Sequence, residues 1–99
     1  MDKKVPHYKL RLLQMEVRQR GADAFTRTAL DGGREMGFSV EQMVIAVCGL
    51  TGRQFFKSMT TLADHTVWQD VYHATTPAGV AYVKLTLRHG TVVIQFKRK

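Results

Sequence analysis

The sequence predicts an α+β fold in which a small antiparallel sheet packs with N-terminal helices. Apolar residues recur at helical spacing in the first half of the chain, whereas the spacing changes to two from Thr66 onward. His89-Gly90 separates two of the alternating segments and is typical of a tight hairpin turn. With 99 residues, the chain is expected to form a single domain over residues 1–99.

Two helices are predicted before residue 33. Residues 8–20 form the first, because three apolar side chains follow one helical stripe, namely Leu10, Leu13 and Val17. Gly21 is expected to end this helix. Residues 25–31 favour a short second helix, and Gly32-Gly33 is expected to break whatever precedes it.

A third helix is predicted to begin at Ser39. The Ser39 side chain can accept the backbone amide of Gln42 while the Gln42 side chain reaches back, which is a capping box. The apolar residues behind this box define its buried face: Val40, Met43, Val44, Val47 and Leu50.

A second capping box follows at Thr51 and Gln54. It predicts a further short helix, which would carry Phe55-Phe56 and Lys57. The chain must then change from helix to strand, and the hydroxyls around Asp64-His65 are expected to form that corner.

Three strands are predicted in the second half, over residues 66–73, 79–88 and 91–98. Residues 74–78 make one connection and His89-Gly90 the other, so the strands should form an antiparallel meander. Whether a segment within residues 22–38 adds a further strand is left open by the pattern.

The second hairpin has a defined register if His89-Gly90 is a two-residue turn. Arg88 then lies opposite Thr91, and Tyr82 lies opposite Lys97. Lys84 shares the face of Tyr82. This face is polar, whereas the residues between are apolar and are expected to face the helices.

The register of the first hairpin follows from closing it with His73 opposite Ala78. Gln69 then lies opposite Tyr82, so Gln69, Tyr82 and Lys97 would be neighbours on three adjacent strands. Asp70 alternates to the other face, where it is expected to pair with a lysine or arginine, because a lone buried carboxylate is costly.

The charge balance narrows the class of partner. There are 15 Lys and Arg against 8 Asp and Glu, a net charge of +7, which favours nucleic acid, an acidic protein or an anionic membrane surface. From the residues alone, the basic strand face could also be the ordinary solvated side of a half-buried sheet. A ribonuclease, a non-catalytic nucleic-acid-binding module and a protein-interaction subunit remain open at this point.

No metal, cofactor or disulfide is expected. Cys48 is the only cysteine and lies in an apolar run, and the four histidines lack metal-ligand spacing. The first 20 residues are too charged for a signal peptide, and no apolar run is long enough to span a bilayer. A cytoplasmic location is therefore expected.

Several short segments carry a resemblance to a known family. They are FFKSMTT at residues 55–61, DHTVWQDVY at 64–72, AYVKLT at 81–86 and VIQFK at 93–97, with Pro6-His7 near the start. Together they closely resemble the toxins of the motility quorum-sensing regulator (MqsR) family. The segments around Lys57 and Trp68-Gln69-Asp70 are the most specific.

The resemblance implies a ribonuclease toxin of a type II toxin–antitoxin system. Such a toxin cuts mRNA at or near GCU, is similar in fold to the RelE and YoeB toxins, and is inhibited by a DNA-binding, MqsA-like antitoxin. The free toxin would be a monomer that forms a hetero-oligomer with the antitoxin. The catalytic positions of the family match Lys57, Gln69, Tyr82 and Lys97.

The expected chemistry is metal-independent, with the ribose 2′-OH attacking the scissile phosphate. Lys57 and Lys97 would clamp the phosphate and one of them would share in proton transfer, while Tyr82 positions the 2′-OH or donates a proton. Gln69 would hold the phosphate or a base edge. The residues expected to bind RNA are Phe56, Met59, Lys84 and Arg88. Phe56 stands where the family often has tyrosine, so it retains stacking but lacks the hydroxyl.

Overall fold

Five antiparallel strands form one sheet, and three helices cover one of its faces. The computed structural model describes residues 1–99. The elements in chain order are β1 (Asp2–Lys3), α1 (Leu10–Arg20), α2 (Arg27–Glu35), α3 (Val40–Cys48), β2 (Phe55–Thr60), β3 (Trp68–Thr76), β4 (Gly79–Arg88) and β5 (Thr91–Arg98). The strands are arranged in the order β1-β2-β3-β4-β5, so the predicted α+β class is confirmed.

The core lies between the helices and the strand residues that alternate towards them. Leu13 and Val17 of α1, with Met43 and Val47 of α3, are buried there, as their spacing predicts. The capping box of Ser39 is present, with the Gln42 amide donating to Ser39 Oγ over 3.2 Å. No helix is both long and apolar enough to cross a membrane.

Helix α2 continues through Gly32-Gly33, so the predicted break there is wrong. The two glycines permit close packing. A Cβ added at Gly32 would overlap the backbone oxygen of Phe96, and one at Gly33 would overlap the sulfur of Met43. Their missing side chains therefore let α2 lie directly against β5 and α3.

Lys57 lies on a strand, so the predicted helix over Phe55, Phe56 and Lys57 is wrong. Both hydrogen bonds of the Thr51–Gln54 box form, but they cap a single 3-10 turn at Gly52–Gln54. A β-bulge then follows. Phe55 pairs with Tyr72 and Lys57 pairs with the adjacent Val71, so Phe56 is an extra residue on β2.

The register of the β4–β5 hairpin is confirmed. Arg88 pairs with Thr91 and Tyr82 with Lys97. His89 and Gly90 both have positive φ, at 52° and 74°, which the tight hairpin turn requires.

The predicted β3–β4 register is wrong by four residues. The turn lies at residues 77–78, with Thr76 opposite Gly79, and it is fixed by the Thr76 hydroxyl, which donates to the Gly79 carbonyl over 2.6 Å. Consequently His73, and not Gln69, lies opposite Tyr82. Because four is an even number, every side chain keeps its predicted face.

The N-terminal residues add the fifth strand. Asp2 pairs with Met59 and Lys3 with Ser58, so β1 extends the sheet beyond β2. The segment 22–38 contributes only a single parallel bridge, between Phe25 and Ile94.

Asp70 is buried beneath this N-terminal segment. The prediction that it pairs with a lysine or arginine is wrong. Its carboxylate accepts the backbone amide of His7 at 3.0 Å to each oxygen and that of Tyr8 at 2.9 Å. The His7 ring also stacks on Trp68, with 5.2 Å between ring centroids. Backbone amides thus stabilise the buried Asp70 carboxylate in place of the expected basic side chain.

Candidate active site

The sheet face that points away from the helices, called the open face here, carries the candidate residues. Residues opposite one another on successive strands form rows across it. The central row runs from Lys57 through Val71 and Lys84 to Gln95. Val71 is fully buried although it is not part of the hydrophobic core between the sheet and the helices. We attribute its burial to the aliphatic stems of the two lysines that flank it.

Lys84 lies at the centre of the candidate residues. Lys57 lies in the same row as Lys84, two strands away. Tyr82 and Lys97 lie opposite each other in an adjacent row. Partial burial, followed by the positive charges of Lys97 and Lys57, holds the pKa of Lys84 below its ordinary value. Lys84 was expected only to bind RNA, but its lowered pKa also makes it a candidate for proton transfer.

Tyr82 lies between two ammonium groups. Lys97 Nζ lies 5.5 Å from the centre of the Tyr82 ring, and Lys84 Nζ lies 5.8 Å from it. Burial raises the pKa of Tyr82, so its phenol stays protonated at neutral pH and is available as a hydrogen-bond donor.

Gln69 lies on the far side of Lys84 from Tyr82. It pairs with Met59 on one strand and Thr86 on the other, so the predicted contact between Gln69 and Tyr82 is absent. Gln69 is 8% exposed. The Thr86 hydroxyl donates to the Trp68 carbonyl over 2.6 Å, whereas no intramolecular hydrogen bond engages the Gln69 amide.

Lys57 faces the one carboxylate near this set of lysines. Asp2 Oδ2 lies 3.7 Å from Lys57 Nζ, and both side chains are partly exposed. Such a pair contributes little stability, so an incoming phosphate can compete with Asp2 for Lys57.

The other three residues expected to bind RNA share the open face with Lys84 but differ in their distance from it. Phe56 is half exposed and its ring stacks on His73, with 4.4 Å between centroids. Met59 lies beside Gln69. Arg88 is four residues along the strand from Lys84, which is about 13 Å away at strand spacing. Arg88 therefore marks the outer end of the face.

His73 and a neighbouring pocket were not singled out from the sequence. Burial and the charge of Lys99 lower the pKa of His73, which lies opposite Tyr82. The correct hairpin register would have found it. The pocket, of about 350 Å³, includes Thr26 and Thr28 of α2 in its lining, and no sequence signal brings that helix to the site.

The arrangement suits an anionic ligand. Three lysines and a protonated phenol lie on adjacent positions of the open face, and Asp2 is the single acid that forms an ion pair with one of these lysines. No group of three His, Cys, Asp or Glu side chains could hold a metal ion. Positive charge and hydrogen-bond donors of this kind can stabilise a phosphorane.

Comparison with known proteins gives two findings. A family model described as "Motility quorum-sensing regulator, toxin of MqsA" matches residues 5–98. The chain is also similar to the mRNA interferase toxin MqsR of Escherichia coli (strain K12). The two are 38% identical over 99 residues, and the match covers all of both chains.

Proposed function

The chain belongs to the motility quorum-sensing regulator (MqsR) toxin family, and from that premise we propose that it is the mRNA-cleaving toxin of a type II toxin–antitoxin system. The observation that carries the proposal is the convergence of Lys57, Lys84, Lys97 and Tyr82 on one face of the sheet. We take residues 1–99 as a single ribonuclease domain with a RelE/YoeB-like fold that acts in the cytoplasm.

The scissile phosphate lies over Lys84 in this proposal. Lys57 and Lys97 approach it from two sides and neutralise the charge that develops on the phosphorane. Tyr82 donates its phenolic hydrogen to a phosphate oxygen, and the unengaged Gln69 amide holds the ribose or phosphate on the opposite side. The lysine charges account for binding the substrate without a metal ion.

Proton transfer falls to Lys84 in its neutral form. Lys84 accepts the proton of the ribose 2′-OH as that oxygen forms a bond to phosphorus. The bond from phosphorus to the 5′-oxygen breaks, and a protonated lysine of the site donates the proton that the leaving oxygen takes up. The products are a 2′,3′-cyclic phosphate and a 5′-hydroxyl, so atoms and charges balance.

Stacking and apolar contacts to bases would come from the β2 side of the face. Phe56 is exposed and stacked on His73, so a further ring can extend that stack. Met59 supplies apolar surface next to Gln69. Stacking and apolar contact of this kind accept any base, so these contacts add affinity for RNA. The family resemblance puts the cleavage preference at or near GCU.

The partner in this proposal is an MqsA-like, DNA-binding antitoxin. The description of the matching family contains the words "toxin of MqsA", and this supports MqsA as the pattern for the partner. The chain carries a net charge of +7, so an antitoxin with an acidic surface would be attracted to it. The free toxin is proposed to be a monomer.

Induced expression in a bacterium tests the function. Wild type should arrest growth, co-expression of the cognate antitoxin should restore it, and mapped mRNA ends should share a short motif. Lys57→Ala should abolish growth arrest and mRNA cutting. Lys9 is an exposed lysine ahead of α1, and Lys9→Ala should retain both. Growth arrest that Lys57→Ala preserves would contradict the assignment.

A further inference from the structure

A pocket beside Lys84 extends the site towards β5 and α2. It lies at the β5 side of the open face, where the first turn of α2 meets β4 and β5, and it includes Thr26, Thr28, Tyr82, Lys84, Gln95 and Lys97 in its lining. Its volume of about 350 Å³ is at the lower end of the range for small-ligand pockets, a size that suits a single nucleotide.

Gln95 connects this pocket to the proposed catalytic centre. It lies directly opposite Lys84 on the adjacent strand, which puts the two residues about 5 Å apart at Cβ. The Gln95 side chain is exposed, and no intramolecular hydrogen bond engages its amide. An amide offers both a donor and an acceptor, as the edge of a nucleobase requires.

The second free polar group comes from α2. Thr28 is exposed and its hydroxyl makes no hydrogen bond within the protein, whereas the Thr26 oxygen already accepts the Ala29 amide as the helix cap. Thr28 and Gln95 are uncharged, while Lys84 and Lys97 supply the positive charge of the same pocket. An RNA phosphate would lie at the two lysines, and the attached base would lie between Thr28 and Gln95.

We infer that this pocket binds the nucleobase adjoining the scissile phosphate, and that Gln95 and Thr28 determine which base is accepted there. This inference rests on the proposed ribonuclease function, since it takes Lys84 as the position of the phosphate. The ligand is a single-stranded RNA base read through its edge, which is the usual form of sequence-specific RNA recognition.

End mapping of cleaved RNA tests the inference. The purified proteins would be given one long, protein-free transcript, and Gln95→Ala should relax the motif at a single position next to the cut. The preference at that position should fall roughly 5- to 10-fold, near the lower end of what paired base-edge hydrogen bonds provide. Thr28→Ala should relax the same position. Gln19→Ala, an exposed glutamine of α1, is the matched control and should leave the motif unchanged.

A binding measurement separates this inference from the cleavage proposal. Short 2′-O-methylated RNAs cannot be cut, so their affinities report recognition alone. Wild type should discriminate among four such RNAs that differ at the predicted position, and Gln95→Ala should lose that discrimination. Equal binding of all four bases by wild type, or an unchanged preference in both pocket variants, would overturn the inference even if RNA cleavage is observed.

Discussion

Replacing Asp70 by Asn should destabilise the protein by releasing its N-terminal segment. The carboxylate is 1% exposed and accepts the amides of His7 and Tyr8 at 2.9–3.0 Å. Asparagine has nearly the same shape, but it replaces one acceptor oxygen by a donor that faces those amides. The substitution therefore changes hydrogen bonding with little change in packing.

The expected loss follows from these hydrogen bonds. Each hydrogen bond to a charged group contributes about 1.5–3 kcal/mol, and two amides depend on Asp70. Because part of that energy returns when the released amides bind water, we expect Asp70→Asn to reduce the free energy of unfolding by about 2–4 kcal/mol. A domain of this length has about 5–15 kcal/mol in total, so the variant should fold, with a Tm lower by about 8–30 °C.

Urea unfolding and amide hydrogen exchange would test this expectation. The amides of His7 and Tyr8 should exchange much faster in Asp70→Asn, while the amides of β4 remain protected. Asp31→Asn is the control, because Asp31 is exposed and lies 3.7 Å from Arg34; its effect should stay below about 0.5 kcal/mol. A loss below about 0.5 kcal/mol for Asp70→Asn, with unchanged exchange, would refute the reasoning.

Three further predictions concern the site and the fold. Lys84→Arg should lower the cleavage rate about 10²- to 10⁴-fold, because arginine does not deprotonate. Since the pKa of Lys84 is lowered, the wild-type rate should rise with pH and level off below the pH at which an ordinary lysine titrates; a Lys84→Arg variant that cuts at nearly the wild-type rate would contradict the proton-transfer role. Gly32→Ala should destabilise by about 1–3 kcal/mol in thermal unfolding, because its Cβ meets the Phe96 carbonyl, whereas Gly52→Ala has open space and should change stability by less than about 0.5 kcal/mol. Phe56→Ala should weaken binding of uncleavable RNA by about 1–3 kcal/mol, and Phe56→Tyr should preserve it; equal affinities for all three proteins would exclude base stacking at this position.

The faces of the predicted strands were read correctly from the sequence, although one register was not. Alternation depends only on whether a position is odd or even, so the four-residue error in the β3–β4 hairpin left Gln69 and Tyr82 on the open face. The error arose because Thr75 and Thr76 were read as loop. They continue the strand, which β-branched residues favour, and the turn itself is only two residues long.

Strand β2 was hidden by its bulge. Phe56 is the extra residue, so the apolar–polar alternation that identifies a strand is interrupted just before Lys57. The capping box of Thr51 and Gln54 was read correctly, but it caps only one turn of 3-10 helix. A local signal can mark where a helical turn begins without fixing how far it continues.

The contribution of distant segments to the site could not be read from local pattern. Asp2 reaches Lys57 because β1 pairs with β2, and Thr28 reaches the pocket because α2 packs closely against β5. Both placements depend on tertiary packing, which in α2 requires Gly32. The central position of Lys84, in contrast, followed once the register was known.

The central claim is that the lysines of the open face cut RNA without a metal ion. It is tested most directly by incubating the purified protein with a defined, protein-free mRNA in excess EDTA and mapping the ends. Wild type should cut at a recurring short motif, leaving 2′,3′-cyclic phosphate and 5′-hydroxyl ends, and Lys57→Ala and Lys97→Ala should each lose most of that activity. Intact RNA with wild type, or near-normal cutting by both variants, would contradict the account.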